Sequence, residues 1–306
     1  MPSRRALAVL RPWLVLALVA GGFSLHPRFA QTFWTRSFLP NVAQQAASNV
    51  ILAVGMTFVI LTGGIDLSVG SVLALCGVTL GLSAEGGAPL AVALVVALGA
   101  GVGCGLVNGL LVTAGRVPPF VVTLGMMTAA RGLTVFATDG NSVSGLPPGL
   151  FVLGQGWPLV ALALAVVVAG AILQHHTRAG RYLTAIGGNE EAARLSGVPV
   201  ARCKALAYAL AGLTAALAGV VTCAKFQSAD TGAGANAELN AIAAVVIGGT
   251  RLSGGHGSVV GSLVGALTIV VLNAGLVLVG VRDTLQGVVV GAVIVVTVMI
   301  DQRRAR

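Results

Sequence analysis

Long runs of apolar residues, separated by short polar or Gly/Pro breaks, dominate this chain. Most have the roughly 17 to 25 residues that an α-helix needs to cross a bilayer, although the eighth is short enough to be a re-entrant or broken helix. Spanning segments satisfy their backbone hydrogen bonds internally, so the pattern predicts an all-α polytopic membrane protein with about ten transmembrane helices. The ten runs are 12–26, 45–62, 68–84, 88–114, 119–137, 157–174, 205–224, 238–250, 257–280 and 285–301.

Composition excludes the ordinary soluble classes. Hydrophobic residues make up 56% of the 306 residues and charged residues only 9%, against about 25% charged in a soluble domain. The net charge of +9 does not indicate nucleic-acid binding, because no soluble basic module with base-stacking aromatic residues is visible. Residues 1–306 are therefore interpreted as a single transmembrane domain in a lipid membrane.

The basic residues predict the orientation. If the N-terminus is cytoplasmic and the chain crosses ten times, thirteen basic residues face the cytoplasm, four face outside and Arg131 lies within a span. This excess is typical of cytoplasmic loops, so both termini are expected inside; a miscount of two around 238–280 would move individual loops only. The inside set is Arg4, Arg5, Arg11, Arg116, Arg178, Arg181, Arg194, Arg202, Lys204, Arg251, Arg303, Arg304 and Arg306, and the outside set is Arg28, Arg36, Lys225 and Arg282.

We expect no catalytic and no metal site. His175 and His176 have no third ligand at usable spacing, and no Ser/His/Asp set, H-E-x-x-H or G-x-S-x-G motif is present. The cysteines lie singly in or beside apolar segments and are interpreted as small hydrophobic residues. They are Cys76, Cys104, Cys203 and Cys223.

Asp66 is the most conspicuous polar residue, because it lies in the glycine-bracketed run 63–71, Gly-Gly-Ile-Asp-Leu-Ser-Val-Gly-Ser. A lone carboxylate in hydrocarbon costs at least a few kcal/mol. Three roles are open: a helix cap, an ion pair with Arg251, or a moving gate. A second glycine-rich run, Gly-Gly-Thr-Arg-Leu-Ser from 248 to 253, resembles the first. This echo indicates either an internal repeat, as in many transporters, or chance similarity of glycine-rich sequence.

Other polar residues lie inside apolar runs. Arg131 either lines a passage or extends to the outer surface. The amides and threonines can contact a solute or, more commonly, bond between helices; they are Asn49, Thr57, Asn108, Thr123, Asn240 and Asn273. Our candidates for the translocation path or gate are Asp66, Asn108, Arg131, Asn240 and Asn273.

The loop at about 175–204 is the only sustained polar stretch on the predicted cytoplasmic side. Asn189 is a suitable N-cap, and Glu190 and Glu191 suit the positive end of a helix dipole. Gly197 and Pro199 then end the helix. The pattern predicts a helix of about two turns, which is either a structured connector or a knob that docks into a partner protein.

Four stretches resemble the ribose-type permease family of bacterial ATP-binding cassette (ABC) importers. The first is 63–71. The second, at 116–127, reads Arg-Val-Pro-Pro-Phe-Val-Val-Thr-Leu-Gly-Met-Met. The third runs from Gly-Gly-Asn-Glu-Glu-Ala-Ala to Ser-Gly at 187–197, and the fourth, at 238–250, is Glu-Leu-Asn-Ala-Ile-Ala-Ala-Val-Val-Ile-Gly-Gly-Thr. They occur in family order, and the similarity extends from about residue 45 to the C-terminus.

The resemblance implies a multi-pass subunit of the bacterial inner membrane. It implies a second permease copy or paralogue, two cytoplasmic ABC ATPase domains and an extracytoplasmic solute-binding protein as partners. ATP and Mg²⁺ would be bound by the ATPases, and this chain, which lacks a G-x-x-x-x-G-K-[ST] loop, would bind no cofactor. The ATPase-coupling helix would comprise Asn189, Glu190, Glu191, Ala192, Ala193, Arg194, Leu195, Ser196 and Gly197.

Together these features predict a non-catalytic permease that imports a small polar solute, with a monosaccharide as the first candidate. A furanone-type signal or a nucleoside is the alternative solute. The alternative function is a secondary transporter or channel driven without ATP. Such a protein would more naturally carry ionisable relay residues in several spans, and it would not need the polar loop.

Overall fold

A computed structural model describes residues 4–33 and 35–305, so that Arg306, one of the basic residues counted above, lies outside the described residues. Within these ranges the protein is helical, and the only β pairing is an isolated bridge between Val143 and Ala229. The helices are α1 Arg4–Ser24, α2 Pro27–Phe33, α3 Phe38–Leu61, α4 Val69–Glu85, α5 Leu90–Thr113, α6 Pro119–Thr138, α7 Gly156–His176, α8 Arg178–Gly188, α9 Glu190–Leu195, α10 Val200–Phe226, α11 Ala237–Ile247, α12 Val259–Leu278 and α13 Asp283–Ala305, with a 3-10 turn at Pro148–Gly154.

Each of the ten apolar runs lies largely in a helix, which confirms the all-helical fold. Of the described helices, six are long and apolar enough to cross a membrane: α3, α5, α6, α7, α10 and α12. With 11 residues, α11 is about 16 Å long, roughly half of a hydrocarbon core. The number of crossings and the orientation of the termini stay predictions.

Small residues bring the central helix α10 close to its neighbours α3, α4 and α5. On α5, Gly101, Gly105 and Gly109 recur every four residues and therefore share one face. A Cβ on Gly105 would overlap the carbonyl oxygen of Tyr208, and one on Gly109 would lie 2.6 Å from the Cα of Ala205. Van der Waals contact of backbones is how membrane helices pack without a hydrophobic driving force.

The two glycine-rich runs form two turns, 62–68 between α3 and α4 and 248–258 between α11 and α12. Each preceding helix ends at a left-handed glycine, Gly63 with φ 78° and Gly249 with φ 88°, a conformation that glycine adopts without steric cost. Each following helix begins after a serine, Ser68 or Ser258. The internal repeat indicated by the sequence echo stays a prediction.

Candidate functional site

Helix α9 is the short capped helix that the polar loop predicts. The Asn189 side chain accepts a hydrogen bond from the backbone N–H of Ala192 at 2.9 Å, which satisfies one of the free donors of the first turn. Gly197, with φ 81°, lies just after the helix, and Pro199 precedes α10. Local sequence determines this element, since each of its boundaries depends on a side chain within three residues.

The two acidic residues of α9 have different surroundings. Glu190 accepts hydrogen bonds from the ammonium group of Lys204 at 2.6 Å and from the Arg194 guanidinium at 3.1 Å. Within the described part of the chain Glu191 pairs only with Arg194, at 3.3 Å, and its side chain is 67% exposed, against 40% for Glu190. Glu190 therefore attaches α9 to the N-terminal part of α10, and Glu191 faces outward.

Leu195 is the exposed apolar residue of α9, with 81% of its surface accessible. Ala193, on the opposite side of the helix, is buried. An isolated exposed leucine is ordinary, but here it lies beside the outward Glu191 on a helix whose other face is anchored. The sequence places Leu195 in the predicted helix but does not distinguish it from its neighbours. Its exposure in the structure distinguishes it.

The hydrogen bond from Lys204 lowers the pKa of Glu190 below its ordinary value, and the nearby charges of Lys204 and Arg194 add to the effect. The stabilisation is therefore fully present above the unfolded-state pKa of about 4.3 and is lost as the pH falls through the lowered pKa. We expect Glu190→Gln to speed amide exchange in 189–197 at pH 7 by up to about fivefold, because a half-exposed ion pair contributes at most about 1 kcal/mol. Hydrogen exchange measured by mass spectrometry checks this.

Glu191→Gln removes the same charge without touching Lys204 and serves as the control. The difference between wild type and Glu190→Gln should persist from pH 7 to 5, begin to decline below about pH 4.3, and be lost as the pH falls through the lowered pKa of Glu190. An equal effect of both variants would show that Lys204 does not anchor the helix.

A positively charged cavity of about 960 Å³ lies between α9, the end of α5 and the start of α10. Four of its lining side chains are cationic and one is acidic, so it favours an acidic group on a partner. The lining comprises Val112, Thr113, Arg116, Glu190, Arg194, Pro199, Val200, Ala201, Arg202 and Lys204.

Backbone groups of α8 lie against the last residue of α3, where the first glycine-rich turn begins, and against the second turn, at what we call the glycine junction, formed by Leu61, Gly63, Gly187, Gly254 and Gly255. The N–H of Gly255 donates to the carbonyl oxygen of Leu61 at 3.0 Å. A Cβ on Gly187 would overlap that same oxygen, and a Cβ on Gly254 would lie 3.0 Å from the Cα of Gly187. Because α8 leads directly into α9, α9 is connected to this junction through the backbone of α8.

Asp66 is buried in the first glycine-rich turn, 62–68, with 1% of its surface exposed. Its carboxylate accepts hydrogen bonds from the N–H of Ser68 at 2.8 Å and from its hydroxyl at 2.6 Å. The Asn108 amide in turn donates to the Ser68 hydroxyl at 3.0 Å. Arg251 is exposed, and among the described residues it makes no ion pair with Asp66. Asp66 and Asn108 thus connect the first turn to α5, and a gating role for them stays a prediction.

Arg131 lies beside the irregular segment 227–236 that precedes α11. Its guanidinium donates to the carbonyl oxygens of Thr231 and of Ala233, the latter at 3.0 Å. Non-helical backbone at membrane depth needs partners supplied by protein, and Arg131 supplies them here. The sequence indicated a costly charge in α6 but could not indicate these acceptors, which are about a hundred residues away.

Asn240 and Asn273, two of the predicted path residues, meet at a pocket of about 310 Å³ between five helices, which we call the central pocket. The side-chain oxygens of Asn49 and Asn273 are buried there without a hydrogen-bond partner among the described residues, and each such group costs about 1–3 kcal/mol. Sequence reasoning did not single out Gln45, Ser48 or Thr222. The lining comprises Gln45, Ser48, Asn49, Leu52, Leu73, Thr222, Gly234, Ala237, Asn240, Ile269, Val270 and Asn273.

Comparison with known proteins finds a permease family model and several permeases that are similar to this chain. Residues 38–298 match the family model described as branched-chain amino acid transport system / permease component. The chain is 46% identical over 273 residues to the ribose import permease protein RbsC of Bacillus subtilis, covering 87% of this chain and 84% of that protein. It is 45% identical over 301 residues to RbsC of Escherichia coli K12, covering 95% and 92%.

A third relative is the galactofuranose transporter permease protein YtfT of Escherichia coli K12. It is 39% identical over 270 residues, covering 86% of this chain and 79% of the relative. No solved structure matches the chain.

Proposed function

The chain belongs to the ribose-type permeases of the branched-chain amino acid transport system / permease component family, and from this premise we propose that it forms the solute path of an ATP-driven monosaccharide importer. The family resemblance carried by the four sequence motifs is thereby confirmed. The protein is a multi-pass protein of the inner membrane. The proposal adds the solute, the partners and the way in which ATP is used.

The observation that carries the proposal is the arrangement around α9. One face of this helix is anchored to α10 by Glu190, its outer face presents Glu191 and Leu195, and α8 before it touches both glycine-rich turns. A partner that binds α9 differently in its open and closed states shifts the equilibrium between two access states of the permease. Two ATPase domains, which would bind ATP and Mg²⁺, are the partner we propose.

The orientation that we propose for the membrane protein rests on the basic residues around α9. Arg116, Arg194, Arg202 and Lys204 surround α9 and its cavity, and such clusters of basic residues favour the cytoplasmic side. We therefore place α9 and both glycine-rich turns toward the cytoplasm, with both termini inside and about ten spans. Within this topology α11 and the irregular segment before it together make one broken span.

The proposed solute is a monosaccharide, because relatives of 45% and 39% identity are named as permeases for ribose and galactofuranose. An extracytoplasmic binding protein would deliver it, and a second permease copy or a paralogue would complete the membrane part. No bond is made or broken in this subunit, whose contribution is to bind, release and change access.

Reconstitution in liposomes tests the proposal. The permease, its cognate ATPase and its binding protein are expected to accumulate tritiated D-ribose at least tenfold faster with ATP inside than without it. Omitting any one of the three proteins should remove this import, and dissipating ion gradients should not. Gradient-driven uptake by the permease alone, in liposomes without ATP, would overturn the proposal in favour of a secondary transporter.

A further inference from the structure

The central pocket is lined by amide and hydroxyl side chains and, among the described residues, by no charged one, and we propose that it holds the solute in transit and selects a neutral polyhydroxylated molecule over a charged one. This inference rests on the proposed function, since it assigns a solute site within the same permease. It also goes beyond it, because it names the residues that contact the solute and the chemical class they accept.

Hydrogen-bonding capacity is the first argument. Each asparagine or glutamine amide carries both donors and an acceptor, and each hydroxyl can do both. Amides of Asn49, Asn240 and Asn273 line the pocket with the hydroxyls of Ser48 and Thr222. A molecule with several hydroxyl groups supplies donors and accepts from the amide nitrogens at the same time.

Charge is the second argument. Among the residues that the structure describes, no Asp, Glu, Lys, Arg or His side chain lines the central pocket. A free amino acid carries a carboxylate and an ammonium group, and charges removed from water need paired partners. The pocket therefore disfavours the solute class in the name of the family model and favours a neutral ring. Leu52, Leu73 and Ile269 provide apolar surface for the carbon face of such a ring, a combination typical of small-molecule sites.

Position in the fold is the third argument. The pocket is lined by α3 and α4, which flank the first glycine-rich turn, and by α11 and α12, which flank the second. Gly234 and Ala237 place the start of the half-length helix α11 at the pocket. Discontinuous helices at the interface of two such units are where transporters commonly bind solute. Because the glycine junction contacts both turns, a change there alters the pocket from both sides.

The test uses the reconstituted complex of permease, ATPase and binding protein, saturated with ribose-loaded binding protein. Asn49→Leu and Asn273→Leu keep the side-chain size and remove the hydrogen-bonding groups. Each is expected to lower ribose imported per ATP hydrolysed about tenfold, with stimulated ATP hydrolysis within twofold of wild type, because neither residue touches α9. Asn141→Leu, at an exposed amide outside the pocket, is the matched control and should leave the ratio unchanged.

A binding measurement separates this inference from the proposed function. Saturation-transfer NMR on the purified permease–ATPase complex, without binding protein, should detect D-ribose with wild type, lose it with both leucine variants, and detect no leucine. These results support the pocket even if the liposomes show no ATP-driven import, in which case the proposed function alone fails. Undiminished import per ATP or unchanged ribose signals in both variants would overturn the pocket. An equal loss of import and of ATP hydrolysis in Asn49→Ser and Asn273→Ser, which retain hydrogen bonding, would also overturn the pocket.

Discussion

Replacing Gly187 with alanine is expected to reduce ATP-driven import at least a hundredfold, whereas replacing the adjacent Gly188 should leave import near wild type. A methyl group on Gly187 would overlap the carbonyl oxygen of Leu61 and crowd the N–H of Gly255. Both neighbours are backbone, which cannot rotate away as a side chain can, so the glycine junction must open. Overpacking of this kind costs about 1–3 kcal/mol and separates α8 from both turns.

Gly188 is a closely matched control. It follows Gly187 in the same last turn of α8, and a Cβ on Gly188 would meet nothing within 4 Å. Both substitutions gain the same intrinsic helix propensity, about 1 kcal/mol, so only the contact differs. Import assays should be accompanied by size-exclusion profiles of the solubilised complex and by its ATP hydrolysis. If the two variants import equally well, motion does not pass from α8 to the turns through Gly187.

Replacing Leu195 with serine is expected to weaken binding of the ATPase to the permease by ten- to a hundredfold. A leucine that becomes buried contributes about 1.5–3 kcal/mol relative to exposure, which corresponds to this loss of affinity. Affinity of the purified ATPase for permease in nanodiscs, measured by biolayer interferometry, checks the prediction. Membrane insertion and thermal stability should not change, because the side chain is 81% exposed.

Leu25→Ser is the control for this substitution. Leu25 is 88% exposed and lies between α1 and α2, on the predicted outer side, so the same chemical change is made at similar exposure on the opposite face. We expect it to leave ATPase affinity unchanged. A comparable loss of affinity in both variants would argue against Leu195 as a docking residue.

Features that depend on residues close together in the chain were predictable from the sequence, and features that depend on residues far apart were not. The capped helix α9 was predictable because Asn189, the two glutamates and Gly197 act within one or two turns. The left-handed glycines were predictable as turn residues for the same reason. Nothing in the local sequence separates Glu190 from Glu191, since the distinction depends on Lys204, which is fourteen residues away.

The polar residues within the spans show the opposite case. As sequence positions, Asn108 and Asn273 are equivalent: each is a single amide in an apolar run. In the structure Asn108 bonds to Ser68, and Asn273 lines the central pocket with Asn49 and Asn240. Which amide is bonded internally and which faces a cavity depends on the rotation and depth of each helix against its neighbours.

By itself, the sequence determined that the chain forms apolar membrane helices, that a capped helix interrupts them at 189–197, and that two glycine-rich turns carry related patterns. These properties follow from apolar length, capping and backbone freedom, which are local. Only the tertiary structure decided that Gly187 meets both turns, that Arg131 supports irregular backbone before α11, and that amides distant in sequence share one uncharged pocket. The physical reason is that small residues allow several close helix contacts, and only packing of the whole chain selects among them.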